Sequence, residues 1–185
     1  MYTNITLKGP QAKDIFQELG HQSRVAFVAP TQDGLTIIYD LDSDDKGGSA
    51  LVDLAADLSE YFGCPALAVQ TAHEELLRYW LFADGELLDT YQSPAPAMNM
   101  AASLGGNPDF LVQHFNTDAS PEEIHEILHC SDQDCGLTLA ADRHLGLVEL
   151  LDLPLCSVGY GFCDLDSGEY PDDLDEDDLL HIDVD

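Results

Sequence analysis

The chain reads as an α+β protein. The expected architecture is an antiparallel sheet, ferredoxin-like or related, with helices on one face and a helical C-terminal half. Three observations predict it. Residues 1–92 alternate short apolar runs with two amphipathic stretches in the order β-α-β-β-α-β. Asp-Gly pairs at 33–34 and 84–85 mark tight hairpins between strand-like runs. Beyond residue 107 the apolar spacing changes from alternation to a helical period.

Taken in order, residues 2–8 (YTNITLK) form a strand, and Gly9-Pro10 opens a helix to about Gly20, with Ile15, Phe16 and Leu19 at helical spacing. Residues 24–29 (RVAFVA) and 35–39 (LTIIY) form a hairpin about Gln32-Asp33-Gly34. Ser49 to Phe62 is the clearest helix. Leu51, Leu54, Ala55, Leu58 and Phe62 stripe one side, Asp53, Asp57 and Glu60 the other, and Gly63 stops it. Strands follow at 66–70 and 76–82, and the chain returns through Leu87 to Tyr91. In LLRYWLF (76–82) both faces are apolar, which predicts a central strand covered on both sides.

Residues 93–107 are rich in Pro, Gly, Ala and Ser without periodicity, and read as a linker or long loop. Residues 108–163 hold helical stretches at 108–116, 120–130 and 138–151, then a short strand at 156–162, the whole packed on the first unit. Residues 164–185 form an acidic tail with 11 acids and no Lys or Arg, interrupted by Leu174, Leu179, Leu180, Ile182 and Val184, so that its last residues either dock or form a short strand (LLHIDVD) or stay a solvated end.

The 185 residues carry 36 acidic and 6 basic side chains, a formal charge of −30, with 45% hydrophobic residues. That hydrophobic share suits a folded domain, while the charge argues against nucleic-acid binding and against attachment to an anionic membrane. No signal peptide or membrane-length apolar run is evident, and five cysteines, an odd count, read as reduced thiols in a cytoplasmic protein. Arg78 and Arg143, scarce cations, are expected in internal ion pairs.

The sharpest chemical motif is His125-Glu126-Ile127-Leu128-His129, an H-E-x-x-H. On a helix its histidines share a face and could hold zinc, with Glu126 as the base that activates a bound water. A third ligand would come from His144, Glu149 or a cysteine, Cys130 or Cys135. The competing reading is a surface helix with Ile124, Ile127 and Leu128 inward and the histidines at its edge. Ser120, Pro121 and Glu123 supply the capping box either way.

Asp40-x-Asp42-x-Asp44 opens like a calcium loop, then fails at Asp45 and Leu51, where glycine and glutamate are needed. Gly47-Gly48-Ser49 precedes a helix and could bind an anion through backbone N–H groups, but the four acids beside it would repel one.

Three stretches, residues 61–91, residues 141–162 and the opening MYTNITLKG, resemble a group of uncharacterised acidic bacterial proteins. The resemblance implies a bacterial cytoplasmic protein and brings no catalytic residues. H-E-x-x-H is not a hallmark of the group, which counts against zinc chemistry.

The leading expectation is therefore an acidic interaction module that docks on a basic protein in an inhibitor, immunity-like or nucleic-acid-mimic role. Asp172, Asp173, Asp175, Glu176, Asp177 and Asp178 are the residues expected to make that contact. A zinc-binding protein or zinc hydrolase is the alternative. An acidic surface that serves solubility alone is a further one.

Overall fold

A computed structural model describes residues 1–46, 48–115, 117–130, 137 and 139–183. Among the described residues eight strands are formed: β1 (Thr3–Lys8), β2 (Ala26–Val28), β3 (Leu35–Asp40), β4 (Ala66–Ala72), β5 (Leu76–Ala83), β6 (Glu86–Gln92), β7 (Leu104–Gly105) and β8 (Leu180–Ile182). They make one sheet in the order β7-β6-β5-β4-β1-β3-β2-β8, with every neighbouring pair antiparallel.

The first four strands lie in the order β4-β1-β3-β2, so β1 and β2 are parallel to each other with β3 between them. Helix α1 (Ala12–His21) makes that crossover. Helices α2 (Leu41–Lys46) and α3 (Gly48–Phe62) make the matching one from β3 to β4 around β1. The unit is thus a pair of interlocked split β-α-β crossovers, which follows from two amphipathic helices set between strands too far apart in sequence for tight hairpins.

Side chains alternate across each strand, so the sheet has two distinct faces. One packs Ile5, Leu7, Val28, Ile38, Ala66 and Ala68 against Ile15 and Leu19 of α1 and Leu51, Leu54, Ala55 and Leu58 of α3. These are the helices of residues 1–92, on one face as the sequence predicts. The C-terminal half supplies the second layer. Helices α4 (Pro108–Phe115), α5 (Pro121–His129) and α6 (Ala140–Leu150) pack Leu111, Ile124, Leu128, Leu147 and Val148 on Leu67, Val69, Leu77, Tyr79 and Tyr91. Strand β5 is covered on both sides, with Phe82 and Trp80 in one layer and Leu77, Tyr79 and Leu81 in the other.

Three segments refine or depart from expectation. Within 93–107, Ser93 is fully buried, its hydroxyl accepting Leu77 N–H at 2.9 Å, and Leu104–Gly105 adds β7 to the sheet. The strand expected at 156–162 is instead a 3-10 turn at Leu155–Ser157, followed by helix α7 (Phe162–Asp166). The sheet takes its carbonyls from the side: Tyr39 Oη donates to Cys156 O at 2.8 Å and Asn4 Nδ2 to Ser157 O at 2.6 Å. Gly159 has φ +91°, a conformation outside any strand. The acidic tail, finally, is part of the fold. Leu165, Leu174 and Ile182 are buried, and Leu180–Ile182 pairs with β2 as the edge strand β8.

Candidate functional site

The acids expected to meet a partner stand on this docked C-terminal segment. Its start is held by Asp44 of α2, whose carboxylate accepts Thr3 N–H at 3.0 Å, the Thr3 hydroxyl, and Cys163 N–H in the first turn of α7 at 3.1 Å. Burial pushes the Asp44 carboxyl above its ordinary value against the pull of these hydrogen bonds. Gly161 is required by the same contact, because a Cβ there would lie 2.5 Å from Asp44 Oδ2. Phe162 packs on Phe27 with ring centroids 5.1 Å apart, and His181 of β8 stacks on Phe27 at 4.2 Å.

Leu174 is 5% exposed and belongs to the cluster of Phe27, Ile37, Tyr39, Phe162 and Leu165. Around it Asp172, Asp173, Asp175, Glu176, Asp177 and Asp178 are all exposed, the last three in a 3-10 turn. The apolar residues point in and the acids out, so the charges occupy set positions on the sheet edge. Beside them lies a hollow of about 280 Å³ lined by Phe27, Leu165, Tyr170, Leu179 and His181 together with the acids Asp166 and Glu176. Its aromatic and aliphatic lining comes from β2, α7, β8 and the segment between the last two. Sequence reasoning missed it because Phe27 lies more than a hundred positions from the other lining residues.

The H-E-x-x-H residues lie on α5, whose capping box is formed as expected: Ser120 Oγ accepts Glu123 N–H at 3.2 Å, and Glu123 Oε2 accepts Ser120 N–H at 2.8 Å. Those hydrogen bonds hold the Glu123 carboxyl below its ordinary value. Ile124 and Leu128 face the core, while His125 and Glu126 are exposed. His129 is half-buried with both ring nitrogens engaged, Nδ1 with the Ser103 hydroxyl at 2.9 Å and Nε2 with Gly106 O at 3.2 Å. A metal ion would have to displace one of these.

The other candidate ligands are placed separately. His144 is 2% exposed in α6, its Nδ1 hydrogen-bonded to Tyr2 Oη at 2.8 Å, and burial lowers its pKa to about 3. Cys130 takes part in a disulfide, which corrects the expectation of thiols throughout: an odd count leaves one cysteine over but does not forbid a pair. Cys64, Cys156 and Cys163 are free thiols. Cys135 lies outside the described residues. Among the described residues no three His, Cys, Asp or Glu side chains converge as metal ligands.

One of the two arginines, Arg78, departs from expectation. Buried Arg143 donates to the Ile127 and Cys130 carbonyls at the end of α5, where a cation complements the helix dipole. Arg78 donates through Nε to Gln92 Oε1 at 3.2 Å, and no carboxylate pairs with it among the described residues. The acids after β3 are engaged by other groups. Asp40 binds Arg24 through both oxygens and also accepts the Ser43 N–H and hydroxyl. Asp42 pairs with Lys46 at 2.8 Å and with Arg24 at 3.4 Å.

Comparison with protein-family models, with curated proteins and with solved structures returned no match. Among the described residues no helix is long and apolar enough to cross a membrane.

Proposed function

We propose that this is a cytoplasmic interaction module, ferredoxin-like in its first unit, that docks its acidic C-terminal face on a basic protein. The supporting observation is the fixed presentation of the six acids by a segment anchored through Leu165, Leu174 and Ile182. Charges held in place by a scaffold lose little entropy on binding and steer a cationic partner before contact. The neighbouring hollow offers the lasting contact. An arginine or lysine of the partner lays its methylenes on Phe27, Tyr170 and Leu179 and its charged head against Asp166 and Glu176.

The test uses an arginine-rich peptide and the full chain, compared with a variant carrying D172N, D173N, D175N, E176Q, D177N and D178N. Affinity falls at least about tenfold between low salt and ~0.5 M salt, and most of it is lost in the neutralised variant. Binding that resists salt, or that survives neutralisation, overturns the reading. Neutralisation is the appropriate perturbation here, since deletion of 164–185 would also strip β8 from β2.

A further inference from the structure

Side chains alternate along β8, which sends Leu180 and Ile182 to the α1 side of the sheet and His181 to the other. The register with β2 sets His181 opposite Phe27, and the two rings stack with centroids 4.2 Å apart and planes inclined by 13°. Phe27 is 7% exposed and is held from beside by Phe162 at 5.1 Å. His181 is exposed and lines the hollow of about 280 Å³, so Phe27 covers one face of its imidazole and the other face is open.

Asp166 of α7 and Glu176 line the same hollow. Neither carboxylate pairs with a cationic side chain among the described residues, whereas Asp40 and Asp42 are matched by Arg24 and Lys46. The hollow therefore joins a flat aromatic face, fixed by strand pairing, to two carboxylates that lack a counter-charge.

We infer that this hollow selects arginine over lysine in the basic partner, and that His181 makes the distinction; the inference rests on the docking reading above. A guanidinium is a flat and weakly hydrated cation. It stacks on the open imidazole face while its N–H edge donates to the carboxylates of the same hollow. A lysine ammonium is a compact, strongly hydrated point charge with no face to lay on the ring, and it gains only the carboxylates and the contact of its methylenes. Phe27 and the β2–β8 pairing hold the imidazole in place before binding, so little freedom is lost when an arginine arrives. The tail acids bring in a cation, and His181 decides which one stays.

The full chain is titrated by calorimetry, at pH 8 and low salt, with two peptides of equal length and charge. One is lysine throughout, and the other carries a single central arginine. The arginine raises affinity about three- to tenfold. H181A brings the two peptides within about twofold of each other and leaves the lysine peptide unchanged, while H181F, which keeps an aromatic face, retains the preference. Hydrogen exchange at Leu180–Ile182 checks that β8 stays paired in both variants. In proton NMR the arginine Hδ methylene moves upfield in the complex, under the ring current of the imidazole. Equal, salt-sensitive binding of both peptides overturns the selection and leaves the acidic docking face standing. Preference that persists in H181A, preference lost in H181F with β8 paired, or an unmoved Hδ signal overturns the role of His181. If neither peptide binds, the docking reading fails and the selection falls with it.

Discussion

Replacing Leu174 by alanine tests whether the acidic segment is truly part of the fold. Leu174 is 5% exposed and contacts the cluster of Phe27, Tyr39, Phe162 and Leu165. Buried Leu→Ala changes cost about 2–5 kcal/mol, the larger values where the cavity cannot relax. Here Tyr170 and Leu179 are only partly buried at the edge of the same cluster and can close over the gap, so the lower end applies, about 2–3 kcal/mol. For a chain of this length that is a fall in Tm of roughly 5–10 °C. Urea and thermal unfolding give the global figure. Hydrogen exchange at Leu180–Ile182 shows whether the loss is local, because these amides lie in the strand beside β2. D172N, an exposed acid in the same segment, should change stability by less than about 0.5 kcal/mol. If L174A matches D172N in both unfolding and exchange, the segment is not docked and the fixed presentation of the acids is wrong.

Three further outcomes follow from the buried groups. Burial holds His144 at about 3, below its ordinary 6.5, so its contribution to stability is complete above about 6.5 and is lost as the pH falls toward 3. The parent chain should therefore lose stability more steeply than H144Q between pH 6 and 4, by up to about 1.4 kcal/mol per unit, and parallel urea midpoints would refute this. Ser120→Ala removes the capping box of α5 and should cost about 0.5–2 kcal/mol in urea unfolding, with E123Q milder because glutamine still reaches the Ser120 N–H. A thiol reagent at pH 8 should label exposed Cys163 in the native protein and leave Cys64 and Cys156 unlabelled, since burial raises both to about 11; labelling of either at the rate of Cys163 would contradict their placement.

How much of this was legible beforehand depends on the range of the interaction. Strands and helices of residues 1–92 follow from local period and from Asp-Gly turns, because each buries its own face against a single sheet. The capping box of α5, its inward Ile124 and Leu128 and its edge histidines were legible for the same reason. At 156–162 the alternation of CSVGYGF is strand-like, but Tyr39 and Asn4 take the carbonyls that a neighbouring strand would need. In the tail, Leu180, Ile182 and Val184 alternate and leave a short strand legible, whereas Leu174 stands alone among acids and carries no period. The burial of Leu174 and Ile182 depends on an unpaired edge at β2 and a free hydrophobic surface around Phe27, which exist only once the sheet has formed.

The sequence by itself determined the α+β class, the acidity and the positions of most regular elements in the first unit, since these depend on composition and on neighbours a few residues away. Only the tertiary structure decided which charges are spent and which are available. Arg24 and Lys46 engage Asp40 and Asp42, while Arg78 is held by Gln92. The six tail acids are held at the surface by apolar anchors that reach strands far away in the chain. A side chain's charge is fixed by its type, but its partner is fixed by the packing of strands and helices, and no local pattern encodes that.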